Sequence, residues 1–239
     1  MVMISVLMAF ITMDSYSQEN TSARLLIGDT VPSFKASTSQ GNMNFPEDFF
    51  GKWKIIFSHP GDFTPVCTSE LLSLSLMYDD FRKLNCELIG LSVDSYSSHL
   101  EWISSMENLE FSGQTDIKVR FPIISDVGME IAGMFGMVHP HAMSTRTIRA
   151  VFIIDPDNVV NAILYYPQTV GRSNIEIKRL LVALQTVDRY DVSTPVEWQP
   201  GDDIIVKSPQ TKEEFDRQAR SIEKGNLNCL DWYFCYKKL

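Results

Sequence analysis

The apolar and polar positions become regular from Leu25 onward and follow two different periods. Three short apolar runs, "WKIIFSHP", "ELIGLSVDS" and "RFPIISD", are bounded by Gly, Pro or polar residues and predict buried strands. Three longer segments, "TPVCTSELLSLSLMYDDFRKL", "SSHLEWISSMEN" and "NIEIKRLLVALQTVDRY", repeat apolar residues every three or four positions, which predicts amphipathic helices. A shorter helix is predicted at "MEIAGMFGM".

A β-hairpin is predicted after the last of these strands. The apolar runs "TIRAVFIID" and "VVNAILYYP" flank Pro156-Asp157-Asn158, where Pro presets φ and Asp and Asn tolerate turn geometry. Strands that alternate with helices and then end in a hairpin predict an α/β fold. We expect a mixed sheet with helices on its faces.

The composition changes near Ser193. The segment "STPVEWQPGDDIIVKSPQ" is rich in Pro and Gly and holds one short strand, "DIIV". Thr211 and Glu214 then form a capping-box pattern that opens a helix, which we expect to stop at Gly225. We therefore expect a leader or disordered extension at residues 1–24, a main domain at residues 25–190 and a C-terminal arm with a cysteine tail at residues 191–239.

The N-terminal run "MVMISVLMAFITM" has two interpretations. It is shorter than the roughly 20 apolar residues that a membrane-spanning helix needs, so we expect no stable membrane span. It has the length of the apolar part of a signal peptide, but no basic residues precede it. Residues 1–17 are thus either a signal peptide, which would mean export to a compartment such as the periplasm, or a disordered extension.

Composition and charge exclude several classes of protein. The chain has 239 residues, of which 44% are hydrophobic, and a formal net charge of −9. A negative chain is a poor partner for the phosphate backbone, so we expect no nucleic-acid binding. The four cysteines fit neither a disulfide scaffold nor the spacing of a zinc site, and P-loop, HExxH and GxGxxG motifs are absent. We expect no metal and no cofactor.

The stretch "HPGDFTPVCTSEL" carries the chemistry, because it places Cys67 in the first turn of a predicted helix. Unpaired N–H groups and the positive end of the helix dipole favour a thiolate there. Thr64 would present its hydroxyl beside the sulfur, and Pro60 would keep the turn rigid. The alternative is a buried cysteine with a structural role.

Two classes of enzyme compete at this stage. A thiol–disulfide oxidoreductase usually has a CxxC motif, but Thr64 and Glu70 occupy the partner positions here. A cysteine hydrolase needs a histidine base, and His59 is near in sequence.

The same stretch resembles the active-site signature of the peroxiredoxins, Pro-x-x-x-Thr/Ser-x-x-Cys, which Pro60, Thr64 and Cys67 match without a gap. Arg149, in "STRTIRAVFIIDP", matches the arginine that the family supplies from a distant strand. The resemblance continues through "LIGDTVPSFKA", "YYPQTVGRS" and "TPVEWQPGDDIIV". The long arm is similar to the subgroup of one-cysteine and archaeal-type enzymes. The resemblance implies a thioredoxin-like fold, with a central mixed sheet flanked by helices and a C-terminal arm.

The family's activity is the reduction of hydrogen peroxide and organic hydroperoxides, which serves antioxidant defence. The resemblance implies that Cys67 attacks the peroxide and becomes a sulfenic acid. Backbone N–H groups, Thr64 and Arg149 would stabilise the charge that develops. Glu70 would orient Arg149, or it is an ordinary acid of a first helical turn.

Two further residues match the family's substrate site. His59 would contact the substrate or the catalytic arginine, and a structural histidine is the alternative. Arg172, in "GRSN", matches a second arginine of the family site, and an ordinary residue at a helix start is the alternative.

The tail "NCLDWYFC" resembles the paired cysteines that end the archaeal-type members. It implies that Cys235 resolves the sulfenic acid of Cys67 in a partner subunit and that Cys229 is auxiliary, and packing of both in a docked tail is the alternative. Cys86 is interpreted as a packed structural thiol.

The resemblance also implies partners and a compartment. The partners are an external, thioredoxin-like thiol reductant and a homodimer that assembles into a decamer, and the compartment is the cytoplasm. The other functions left open are a thiol–disulfide oxidoreductase and a peroxide-sensing or chaperone-like oligomer.

Overall fold

A seven-stranded mixed sheet forms the centre of the computed structural model, which describes residues 24–139, 141–142 and 145–239. The predicted leader lies outside the described residues, apart from Arg24. The strands run in the order β2-β1-β5-β4-β3-β6-β7, with β3, β4 and β5 parallel and the other pairs antiparallel. They are β1 (Phe34–Thr38), β2 (Gly41–Phe45), β3 (Trp53–Ser58), β4 (Cys86–Ser92), β5 (Ile123–Ser125), β6 (Arg149–Ile154) and β7 (Val160–Tyr166).

Helices cover both faces of this sheet, as the alternation of strands and helices predicts. Side chains of α1, α2 and α4 form one core with the sheet, and α3 belongs to the core on the opposite face. The helices of this part of the chain are α1 (Pro65–Lys83), α2 (Tyr96–Glu107), α3 (Glu130–Met134) and α4 (Asn174–Tyr190).

Strand β3 shows why the sequences of the central strands are continuous apolar runs. Ile55 and Phe57 belong to the core on the side of α1, whereas Ile56 between them belongs to the core on the side of α3. A strand that is buried on both faces has no polar alternation. The predictions for the central strands and for α1, α2 and α4 are therefore confirmed, as is the mixed sheet.

The hairpin of β1 and β2 is an element that the apolar pattern did not predict. Its sequences, FKAST and GNMNF, are mostly polar. Only alternate positions face the core, and Met43 and Phe45 are the buried residues of β2. A strand that is covered on only one face buries alternate side chains, so its sequence contains no continuous apolar run.

The arm folds as a small second sheet with one helix. Strand β8 (Ile204–Val206) pairs with β10 (Phe234–Lys237), which pairs with β9 (Asn228–Asp231). Helix α5 (Lys212–Glu223) opens with the capping box that the sequence predicts, formed by Thr211 and Glu214. The sequence did not predict the hairpin of β9 and β10, which holds both tail cysteines.

The arm packs against α4. Trp198 and Ile204 are buried with Ala183 of α4, and the guanidinium of Arg179 donates to the Trp198 carbonyl at 3.1 Å. In the described part of the chain, no helix has the length and apolar character needed to cross a bilayer.

A buried lysine ties β3 to the turn between β6 and β7. Lys54 is fully buried, and its Nζ donates to the Asp155 carbonyl and, at 2.7 Å, to Asn158 Oδ1. Burial lowers the pKa of Lys54 to about 8, although the nearby Asp155 carboxylate opposes this shift. The lysine therefore releases its proton at a lower pH in the folded chain than in the unfolded chain.

The lowered pKa of Lys54 predicts that the free energy of unfolding rises with pH. Between pH values of about 8 and about 10.4 the unfolded chain holds more protons at this residue, so the free energy of unfolding should rise by roughly 2–3 kcal/mol. The rise should be absent in Lys54→Met. Urea unfolding of both proteins at pH 7.5 and 10 measures it. Equal changes in the two proteins would contradict the assignment.

Candidate active site

The end of β3 and the start of α1 fix the segment that carries Cys67. Strand β3 ends at Ser58, and α1 begins with Pro65, at a position where a helix does not need an N–H donor. Cys67 thus lies in the first turn, where N–H groups lack partners within the helix. Phe63 has φ of 54°, a left-handed conformation that is strained for a residue with a side chain. The turn before the helix is therefore held in place by its surroundings.

Arg149 of β6 contacts Cys67 directly. Its Nη1 donates to Cys67 Sγ at 3.3 Å and to Glu70 Oε2 at 2.6 Å. Its Nε and Nη2 both donate to the Gln168 carbonyl, at 2.9 and 2.7 Å. Cys67 and Arg149 are both buried, so water screens this contact poorly. The guanidinium is anchored on one side and presents a positive charge to the sulfur on the other.

Glu70 is held by two arginines. The Nε and Nη2 of Arg172 donate to its two carboxylate oxygens at 2.9 and 2.7 Å, and the Arg172 backbone N–H donates to Oε1 at 2.7 Å. Burial alone would raise the pKa of Glu70, but the hydrogen bonds and charge of Arg172, together with Arg149, hold it below its usual range. The carboxylate is charged and fixes both guanidinium groups.

Arg172 also links two neighbouring strands of the sheet next to the site. Its Nη1 donates to the carbonyls of Ser58 and Ala150, both at 2.9 Å. These carbonyls end β3 and begin β6, so one side chain links the strand that leads to Cys67 and the strand that carries Arg149.

Thr64 and His59 each form a hydrogen bond within the segment that precedes α1. The Thr64 hydroxyl donates to the Gly61 carbonyl at 2.9 Å, which closes the turn that begins at Pro60. His59 is fully buried, and its Nε2 lies 2.9 Å from Asp62 Oδ1. The hydrogen bonds found among the described residues do not join His59 to Arg149.

A second buried network surrounds Asp62. His99 Nδ1 lies 2.8 Å from Asp62 Oδ2, and His99 Nε2 lies 3.2 Å from the Ile124 carbonyl. Burial would raise the pKa of Asp62, but the hydrogen bonds of His59 and His99 outweigh it, and the pKa is lowered. The Ile124 carbonyl only accepts, so His99 Nε2 faces it as a donor.

His59 is neutral in this network. Burial lowers its pKa despite the hydrogen bond to Asp62. Its Nε2 donates to the carboxylate, and its buried Nδ1 has no partner within the described residues. The ligand atoms of His59, Asp62 and His99 lie within 4.8 Å of one another, and the hydrogen bonds between these side chains explain this proximity.

The remaining cysteines lie apart from this chemistry. Cys86 is buried at the start of β4, where burial raises the pKa of its thiol, as suits a structural cysteine. Cys229 and Cys235 face each other across β9 and β10 and form a disulfide, while Cys67 is free.

Sequence reasoning named Cys67, Arg149, Glu70 and Arg172, which the fold brings together, but it missed other contributors. The Gln168 carbonyl orients Arg149, and a backbone group leaves no trace in the side-chain pattern. Asp62 lies inside the stretch "HPGDFTPVCTSEL", but its structural role becomes evident only from its hydrogen bond to His99, 37 positions later.

Replacing the charge at Glu70 should cost stability. Glu70→Gln leaves two buried guanidiniums without their counter-charge, so the free energy of unfolding should fall by about 3–5 kcal/mol at pH 7. Because the pKa of Glu70 is lowered in the folded chain, its contribution is complete above the unfolded pKa of about 4.3 and is lost as the pH falls through the folded value. Urea unfolding at pH 7 and pH 3.5 checks both statements.

Glu176→Gln is the matched control, because this exposed carboxylate pairs with Arg179 on the surface of α4. We expect a change of at most about 1 kcal/mol. If the two substitutions lowered the free energy of unfolding equally, the buried network would contribute no more stability than a surface ion pair.

Comparison with known proteins agrees with this geometry. The model of the AhpC/TSA family matches residues 27–163, and that of the C-terminal domain of 1-Cys peroxiredoxin matches residues 183–218. A peroxiredoxin of Methanosarcina mazei is 49% identical over 89% of this chain and 97% of its own. A peroxiredoxin of Archaeoglobus fulgidus is 44% identical over 90% and 99% of the two chains.

Solved structures give the same result. A yeast mitochondrial 1-Cys peroxiredoxin is 35% identical, with a TM-score of 0.78 over 90% of this chain and all of the other. A cysteine-to-serine mutant of peroxiredoxin 6 of Arenicola marina is 33% identical, with a TM-score of 0.79 over 90% and 98%. The thioredoxin-like fold expected from the resemblance is therefore confirmed, and the chain belongs to the AhpC/TSA family and is a peroxiredoxin, a peroxidase enzyme.

Proposed function

We propose that this peroxiredoxin reduces hydrogen peroxide and organic hydroperoxides through a sulfenic acid on Cys67, which Cys235 of a second copy resolves with the help of Cys229. The observation that carries the proposal is the buried guanidinium of Arg149, which reaches both Cys67 Sγ and Glu70. Such a fixed cation serves a reaction in which negative charge develops on sulfur and oxygen.

The first step is nucleophilic. The Cys67 thiolate attacks the terminal oxygen of the hydroperoxide, the O–O bond breaks, and water or an alcohol leaves after it takes up a proton. Cys67 becomes a sulfenic acid. Arg149 and the N–H groups of the first turn would stabilise the spreading charge, and Pro60 and Thr64 would hold the turn.

The second step recycles the sulfenic acid. The Cys235 thiol of a second copy condenses with it, releases water and leaves a disulfide between the chains. The Cys229 thiolate then attacks Cys235, frees Cys67 and forms the Cys229–Cys235 pair. The disulfide of the tail supports this order, because it is the product that such an exchange would leave.

This order requires two local openings. Cys67 and Cys235 are both fully buried, one under the start of α1 and the other under α5. Two Cα atoms must come within about 7 Å for a disulfide to form. The first turn of α1 and the tail hairpin must therefore both move, and we assign residues 191–239 the role of a dimerisation arm.

An external thiol then reduces the tail disulfide. The solved yeast mitochondrial relative is described as resolved through glutathione/thioredoxin systems. We propose a reductant of the same class here, either a small thiol, of which two molecules reduce one disulfide, or a protein dithiol. A decamer built from dimers remains the expected assembly.

The first test is the reaction of Cys67 with peroxide. Stopped-flow mixing with hydrogen peroxide should show rapid oxidation, read from the fluorescence of Trp102, whose Nε1 donates to Thr68 one position after Cys67. Arg149→Lys should be roughly 100-fold slower, because it loses fixed donors. The exposed Arg189→Lys is the control. A wild-type rate no greater than that of free cysteine would overturn the proposed chemistry.

The second test separates the tail cysteines on non-reducing gels after peroxide treatment. Cys229→Ser should accumulate a covalent dimer, because the exchange that resolves it is blocked. Cys235→Ser should form none, and Cys86→Ala should behave as wild type. A dimer that persists in Cys235→Ser and disappears in Cys229→Ser would reverse the two roles.

A further inference from the structure

Helix α5 reaches the tail disulfide through the side chain of Gln218. Its Nε2 donates to the Trp232 carbonyl at 2.6 Å and to Cys235 Sγ at 3.0 Å. A carbonyl only accepts, so the nitrogen of the amide, and not its oxygen, must face the hairpin. An NH₂ group has two hydrogens, and the two acceptors use one each.

The two sulfurs differ in their access to solvent. Cys235 is 0% exposed, whereas Cys229 is partly exposed. The ring of Phe215, on the same helix as Gln218, lies 6.0 Å from that of Trp232 in the turn of the hairpin. A thiol that arrives from solvent therefore meets Cys229 first.

Two backbone carbonyls near Cys235 oppose a negative charge on its sulfur, whereas the Gln218 amide favours one. The carbonyl oxygens of Asp231 and Trp232 lie 3.6 and 3.9 Å from its sulfur. Their partial negative charges disfavour a thiolate. A hydrogen bond to a charged acceptor is roughly twice as strong as one to a neutral acceptor, so the Gln218 amide stabilises the thiolate more than the disulfide sulfur.

We propose that Gln218 is a positioning residue that stabilises Cys235 as the leaving thiolate, so that an external thiol reduces the tail disulfide by attack at Cys229. This rests on the redox role proposed above for the tail. In the first step the thiolate of the reductant bonds to Cys229 Sγ, the Cys229–Cys235 bond breaks, and its electron pair remains on Cys235. In the second step another thiol of the reductant displaces Cys229 as a thiolate, which completes a two-electron reduction.

The first experiment measures the tail alone. In a Cys67→Ser chain, the Cys229–Cys235 pair is equilibrated with mixtures of reduced and oxidised glutathione, and the reduced fraction is counted by alkylation and mass spectrometry. Gln218→Met keeps the length of the side chain and removes the donor. We expect the equilibrium constant for reduction to fall about tenfold, which corresponds to about 30 mV for two electrons.

Matched variants separate this effect from a structural one. Gln218→Glu replaces the donor by an acceptor of the same shape and should lower the constant further. Arg217→Met changes an exposed neighbour on the same helix and should leave it within twofold. Far-UV circular dichroism establishes that α5 is intact. If the constants of Gln218→Met and Gln218→Glu both lay within twofold of the value for the chain that keeps Gln218, the proposal would be overturned.

The second experiment finds the attacked sulfur. The same chain is treated briefly with reduced glutathione, trapped with an alkylating agent and digested, and the adduct should lie on Cys229. An adduct mainly on Cys235 would overturn the direction of attack. Since Cys67 takes no part in either experiment, these results do not depend on the gels that test whether the tail resolves Cys67.

Discussion

The site depends on a single buried carboxylate, that of Glu70, between two arginines. A carboxylate in the interior is stable only if its charge is matched, and Arg149 and Arg172 supply two positive charges for its one. One positive charge is therefore left over, and the group that faces it is Cys67 Sγ at 3.3 Å. The same contacts that hold α1 on the sheet thus also place a positive charge against this sulfur.

The second buried network restrains the other end of the same segment. Asp62 is held by His59 and His99, while the Thr147 hydroxyl donates to the His59 carbonyl at 2.7 Å. Between this network and Glu70 lies the strained Phe63, whose side chain is 58% exposed. Strain of this kind persists only where the flanking structure enforces it. The two buried networks on either side of Phe63 thus hold the turn that leads to Cys67 in its strained conformation, and motion that exposes Cys67 would release this strain.

The sequence predicted the elements of the fold whose apolar residues recur at regular spacing. It also predicted the residues of the site that lie within one short motif. The buried strands, α1, α4 and the capping box of α5 were predicted because burial and capping select residue types locally. The edge hairpin of β1 and β2 was missed because few of its residues are buried. Gln168 was missed because it acts through its backbone. His59 was expected near the substrate by resemblance; its bond to Asp62 is local, but the second partner of Asp62, His99, lies on a helix far along the chain, and the local sequence did not indicate that pairing.

In the tail a cysteine sulfur also accepts a hydrogen bond from a fixed donor, but this donor is neutral. Cys67 is stabilised by a charged guanidinium, whereas Cys235 meets only the neutral amide of Gln218. A charged donor favours a thiolate more strongly than a neutral one. In the proposed relay, electrons pass from an external thiol to Cys229, then to Cys235 and then to Cys67. They would therefore move toward the sulfur whose anion is best stabilised. In this proposed relay, the difference between an arginine and a glutamine would favour transfer toward Cys67, the sulfur that we propose reacts with peroxide.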